Sequence, residues 1–198
     1  MKEKKLKKII KEKTREVAEF GKLLNNDFDK EFIHKFRVEV KSLRSFLRLL
    51  RMHTQESKLK LPGKFKRIYH IAGAIRDAQL EIDCIAEKKW PLPASTQKLQ
   101  HIIRNQKKEW KKRYDKKIFR NLESRLLACD LNDLSPEQLQ DFFRDRMKTI
   151  EAIISTGSPA EDQVHMIRKL AKDIPIHLKN RRRKMESCSH TGKGDPNG

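Results

Sequence analysis

The sequence predicts an all-α fold, an antiparallel helical bundle, on three observations. Apolar residues recur at intervals of three and four through successive charged segments, two Ser-Pro steps mark helix starts in the last third, and no stretch sustains strand alternation. Short connections between these segments favour antiparallel neighbours.

Residues 1 to about 24 carry Leu6, Ile9, Ile10, Thr14, Val17, Phe20 and Leu23 at helical spacing, with lysines filling many other positions. Such an amphipathic helix could lie on an anionic membrane. The polar face also holds Glu3, Glu12 and Glu16, so the first helix of a bundle explains it at less expense. Asn25, Asn26 and Asp27 mark the next turn, and any of them could end this helix or cap the following one, which runs to about 52.

A third helix follows Pro62-Gly63 and continues to about 88 through Phe65, Ile68, Tyr69, Ala72, Ile75, Leu80, Ile82 and Ile85. Pro91, Pro93 and Ser95 close that unit. The stretch from 95 to 129 has an apolar side made of Leu99, Ile102, Ile103, Trp110, Tyr114, Ile118, Leu122 and Leu126, and reads as one long helix or two. Ser135-Pro136-Glu137-Gln138 and Ser158-Pro159-Ala160-Glu161 each combine a capping serine, proline at the first helical position and Gln or Glu three residues after the serine. They predict helices over 136–154 and 159–173, before Pro175 disrupts the pattern. Lys179 to Lys184 is a basic cluster without periodic apolar residues after it, so 179–198 reads as a flexible basic tail.

Forty-seven Lys and Arg against 27 Asp and Glu give a formal charge of +20 in 198 residues, a field that gathers polyanions. Nucleic acid, inorganic polyphosphate, anionic lipid and acidic protein all fit that field. Cys84, Cys129 and Cys188 are odd in number and widely spaced, which argues for a reducing compartment and a cytoplasmic location. The lysine-rich N-terminus, with no long apolar run after it, reads neither as a signal peptide nor as a membrane span.

The most specific pattern lies on the second helix. His34, Arg37, Lys41, Arg44 and Arg48 recur at intervals of three, four, three and four, within roughly 80° of arc, beside an apolar arc of Ile33, Phe36, Val40, Leu43 and Leu47. A solvated basic flank would account for the spacing. Yet like charges so placed repel by a few tenths of a kcal/mol per pair, roughly, and no acidic residue interrupts the row. A polyanion laid along the helix would relieve that repulsion. His165, Arg168 and Lys172 repeat the first three offsets beside Val164, Ile167 and Leu170, which suggests an internal duplication with two basic helices facing across a groove.

These residues carry a family resemblance. His34-Lys35-Phe36-Arg37-Val38-Glu39-Val40-Lys41-Ser42-Leu43-Arg44-Ser45-Phe46-Leu47-Arg48 resembles the first signature of the CHAD domain, the conserved-histidine α-helical domain. Ala74-Ile75-Arg76-Asp77-Ala78 is similar to its Arg-Asp element, and His165-Met166-Ile167-Arg168-Lys169-Leu170-Ala171-Lys172 to its second histidine signature. The resemblance implies a domain over 1–178 made of two similar helical bundles around a basic channel that binds inorganic polyphosphate, associated in the family with polyphosphate granules. It places His34, Arg37, Lys41, Arg44 and Arg48 on one wall and His165, Arg168, Lys169 and Lys172 on the other. Asp77 then orients Arg76 or another basic side chain, although an ordinary surface pair fits equally. Pro175 and Ile176 stand where the family continues with arginine and tyrosine, so the second bundle is expected to be incomplete or to be completed by a second copy of the chain.

Catalytic signatures are missing: there is no P-loop, dinucleotide fingerprint or HExxH, and only seven glycines. His101 reads as helix surface, and Cys188-Ser189-His190 is too short and poorly anchored for a metal or nucleophile. The expectation is a non-catalytic binder with no cofactor. Polyphosphate is its first partner, and nucleic-acid or ribonucleoprotein association is the alternative.

Overall fold

The computed structural model describes residues 1–54, 56 and 58–171, and among them all regular structure is α-helical. The elements are α1 (Glu3–Asn26), α2 (Lys30–Thr54), α3 (Gly63–Glu87), α4 (Pro93–Arg113), α5 (Lys116–Leu127), α6 (Pro136–Ile154) and α7, described over 161–171. They fall into two compact units, one of Met1–Asp133 and one from Leu134 onward. The expected boundary between 178 and 179, the tail after it, and the divergent Pro175 and Ile176 lie outside the described residues.

In the first unit, α1 buries Leu6, Ile10, Thr14, Val17, Gly21 and Leu24 in the expected helical rhythm, but Leu23 is 38% exposed and Gly21 takes its place on the buried side. A side chain at Gly21 would collide with the ring of Phe119 from α5, so glycine is what lets these helices approach. The solvent side of α1 is self-compensated by the i,i+4 pairs Glu3–Lys7, Lys8–Glu12 and Arg15–Glu19. Its N-terminus has no cap of its own. Instead the Asp133 carboxylate accepts from the Glu3 N–H at 2.8 Å and pairs with Lys2 Nζ at 3.1 Å, and these bonds hold its pKa below the usual carboxylate value.

The cap of α2 is Asp29, whose carboxylate accepts from the N–H groups of Glu31 and Phe32 at 2.8 and 3.2 Å. Of the expected residues, Asn26 ends α1 and Asp27 caps its C-terminus; none caps α2, because Phe28 first turns toward Trp110, which its ring meets edge-on at 6.2 Å. Beyond the predicted arc, α2 also buries Ser45, Phe46, Leu49 and Leu50, so its second half is enclosed on more than one side.

The 95–129 stretch resolves into two helices: α4 ends at Arg113, and the Asp115 carboxylate caps α5 by accepting from Lys117 N–H at 2.8 Å. The break lets Trp110, Tyr114 and Phe119 face one core. Trp110 packs edge-on against Phe36 at 5.5 Å and stacks with Tyr114 at 6.0 Å, while Phe119 meets Phe65 at 5.8 Å. That aromatic cluster ties α2, α3, α4 and α5 together.

In the second unit, the capping box predicted for α6 is formed: Ser135 Oγ accepts from Gln138 N–H at 3.2 Å and Gln138 Oε1 from Ser135 N–H at 2.9 Å. The second Ser-Pro step behaves differently. Gly157 adopts φ +78° after α6, and α7 starts at 161, two residues later than expected, with Gln163 Oε1 reaching back to the Ala160 N–H at 2.8 Å. Ala160 therefore stands where the sequence predicted Ser158 to cap.

Candidate anion-binding site

The five residues of the α2 row are not equivalent. His34, Lys41 and Arg44 are exposed, whereas Arg37 and Arg48 are partly buried at the margin of the helix interface. From His34 to Arg48 the row extends for about 21 Å along the helix.

Arg37 is held on several sides. Its guanidinium lies over the ring of Tyr69 at 5.3 Å, its Nη2 is 3.8 Å from Asp77 Oδ1, and its side chain is only 18% exposed. Gly73 leaves the space for it: a methyl group there would overlap Arg37 Nη1. Tyr69, Gly73 and Asp77 are four residues apart on α3, so one face of that helix forms a cradle for one arginine. Arg44 lies over the same tyrosine at 5.8 Å, so two arginines of α2 bracket one ring. Both guanidinium groups lie within cation–π range of the ring, which limits where each can sit.

Lys30 with Asp83, Arg37 with Asp77 and Arg44 with Tyr69 show α2 and α3 running antiparallel, since numbers rise along one helix as they fall along the other. Asp77 thus faces Arg37 rather than Arg76, which is half-buried on the same helix. At 70% exposure the carboxylate contributes little energy to the pair, and its effect is on where the guanidinium sits.

Sequence periodicity shows the row but not its support: it places Tyr69 among the apolar core positions and gives Gly73 no role. The readable signal was the i, i+4, i+8 set of an aromatic, a glycine and an aspartate.

On α7, in the second unit, His165, Arg168 and Lys169 are all exposed, and Lys172 lies outside the described residues. His165 shares a shallow surface depression with Glu161 and Asp162. Those carboxylates repel an anion approaching the histidine, as Glu31 does one turn before His34 on α2.

Among the described residues, no group of three or more His, Cys, Asp or Glu side chains could hold a metal ion, and no helix is long and apolar enough to cross a membrane. Fold and site together define an all-α domain with a cation row braced by a neighbouring helix. The family model of the CHAD domain matches residues 8–179, and the chain belongs to that family. Comparisons with curated proteins and with solved structures give no significant match.

Proposed function

We propose that this CHAD domain is a non-catalytic binder of inorganic polyphosphate, which it takes along the α2 row of His34, Arg37, Lys41, Arg44 and Arg48. The observation that carries the reading is the bracing of Arg37 and Arg44 by Tyr69, with Gly73 and Asp77 holding Arg37. Two guanidinium groups are already oriented before the ligand arrives, so less side-chain entropy is lost on binding. A linear phosphate polymer offers repeating oxyanions and no base edges, and a row of cations suffices to hold it. His165, Arg168, Lys169 and Lys172 belong to the same proposal as further phosphate-binding groups, and Arg76 and Asp77 have supporting roles.

Tyr69, the aromatic beside the row, is only 8% exposed, so its face is not offered to a nucleic-acid base. That favours polyphosphate over single-stranded nucleic acid. Cys84 and Cys129 are free thiols, which fits a reducing cytoplasm and, with it, association with polyphosphate granules.

Gly73→Ala tests the bracing. Alanine improves helix propensity by about 1 kcal/mol, and the group it displaces is the far end of a flexible side chain, so the thermal midpoint should hold or rise. Polyphosphate affinity should nevertheless fall, by about three- to tenfold, because Arg37 loses its place over Tyr69. A variant that is as stable as wild type and binds equally well would contradict the reading.

A further inference from the structure

His101, Arg104, Lys108 and Lys111 on α4 stand at intervals of three, four and three, the offsets of His34, Arg37, Lys41 and Arg44, with lysine in place of arginine at the last position. All four are exposed, as is Lys112 beside them. The helix carries seven Lys and Arg and a single acidic residue, Glu109. Glu109 stands one turn before Lys112, but its carboxylate is engaged by Arg113, accepting from Nε at 2.8 Å.

Helix α1 shows how this protein arranges a basic face that only meets water, with acids four residues from Lys7, Lys8 and Arg15. On α4 that compensation is missing. Among the described residues no carboxylate lies within ion-pairing distance of Arg104, Lys108 or Lys112. One end of the row is also fixed, since Lys107 and Lys111 lie over the Phe28 ring at 5.2 and 5.7 Å and Lys111 donates to the Asn25 carbonyl. At the other end the Asn105 amide Nδ2 lies 2.8 Å from His101 Nε2 and positions the ring.

We propose that the solvent face of α4 is a second phosphate-binding row, engaged by the same polyphosphate chain once it is long enough to reach beyond α2. The inference rests on the polyphosphate reading of the α2 row and adds a chain-length preference to it. Both rows belong to the first unit, whose 133 residues imply a radius of gyration of about 14 Å, so a long flexible chain held at one row is at high effective concentration at the other. The α4 row has no exposed aromatic among its members, so it grips phosphate and offers bases nothing to stack on.

The test uses the full chain carrying Arg104→Gln, Lys108→Gln and Lys112→Gln, all at exposed positions and all keeping a good helix former. Affinities for a short polyphosphate, a long polyphosphate and duplex DNA are measured at matched phosphate concentration over a series of salt concentrations. The expected result is unchanged short-chain affinity, long-chain affinity lower by about tenfold, and a long-chain salt slope shallower by about two units. Lys108→Gln alone should give about a third of that slope change.

Equal losses for short and long chains would overturn the proposal, as would no loss for either. A loss confined to DNA would assign the row to nucleic acid and overturn it as well. Wild-type protein that binds short chains but gains nothing with length would sink the second row while leaving the first intact. Wild-type protein that binds neither polymer would remove the α2 reading and this one with it.

Discussion

Replacing Arg37, Lys41 and Arg44 together by alanine should lower polyphosphate affinity by about 100-fold while leaving the far-UV circular dichroism of the domain unchanged. Each cation makes charge-assisted contacts worth about 1 kcal/mol net, and three such losses amount to roughly two decades in Kd. Lys41 and Arg44 are exposed, and Arg37 packs against Tyr69 and Gly73 at the margin of the α2–α3 interface, so none of the three belongs to the Phe36–Phe65–Trp110–Phe119 core. Alanine also has the highest helix propensity, and removing three like charges from one face relieves repulsion. The logarithmic salt slope should become shallower by about two to three units, as it does when nucleic-acid phosphates lose their counter-cations. Titration at several salt concentrations checks both numbers. Unchanged affinity with an unchanged slope would show that the row is only a solvated flank.

Trp110→Ala should be the most damaging single change to the fold, costing about 3–5 kcal/mol in urea denaturation. The side chain is fully buried and meets Phe28, Phe36 and Tyr114, so its removal leaves a cavity where α4 joins α2 and the turn before it. Its indole Nε1 has no hydrogen-bond partner among the described residues, a buried donor that costs about 1–3 kcal/mol to leave unpaired. Trp110→Phe removes that donor along with part of the ring, and should cost much less than alanine does. A loss below 1 kcal/mol for Trp110→Ala would mean that the aromatic cluster is not what joins these helices.

The helices were legible because their apolar residues keep step with the 3.6-residue turn: Ile33, Phe36, Val40, Leu43 and Leu47 are all buried as their spacing implies. What escaped the sequence depends on partners distant along the chain. Gly21 reads as a weak point in a helix until Phe119, 98 positions later, is seen to occupy the space above it. The capping role of Asp133 at Glu3 spans 130 positions, and no local pattern announces it. Asp29 was hidden by three equally suitable capping residues just before it.

The candidate site divides in the same way. Its cations lie on one helix and were readable from one periodicity. Their bracing comes from α3, and finding it requires the antiparallel register that pairs Arg37 with Asp77 and Arg44 with Tyr69. His101 lies on a helix surface, as its sequence context implies. That the row starting at His101 lacks acidic partners like those that neutralise α1 emerges only from the ion pairs of the folded chain.

Polyphosphate binding is best tested by a salt-controlled competition of long-chain polyphosphate against single- and double-stranded nucleic acid, matched by phosphate concentration. Polyphosphate should displace both nucleic acids at every salt concentration and retain its advantage as screening increases. Nucleic acid that binds as tightly as polyphosphate, or more tightly, would overturn the polyphosphate assignment.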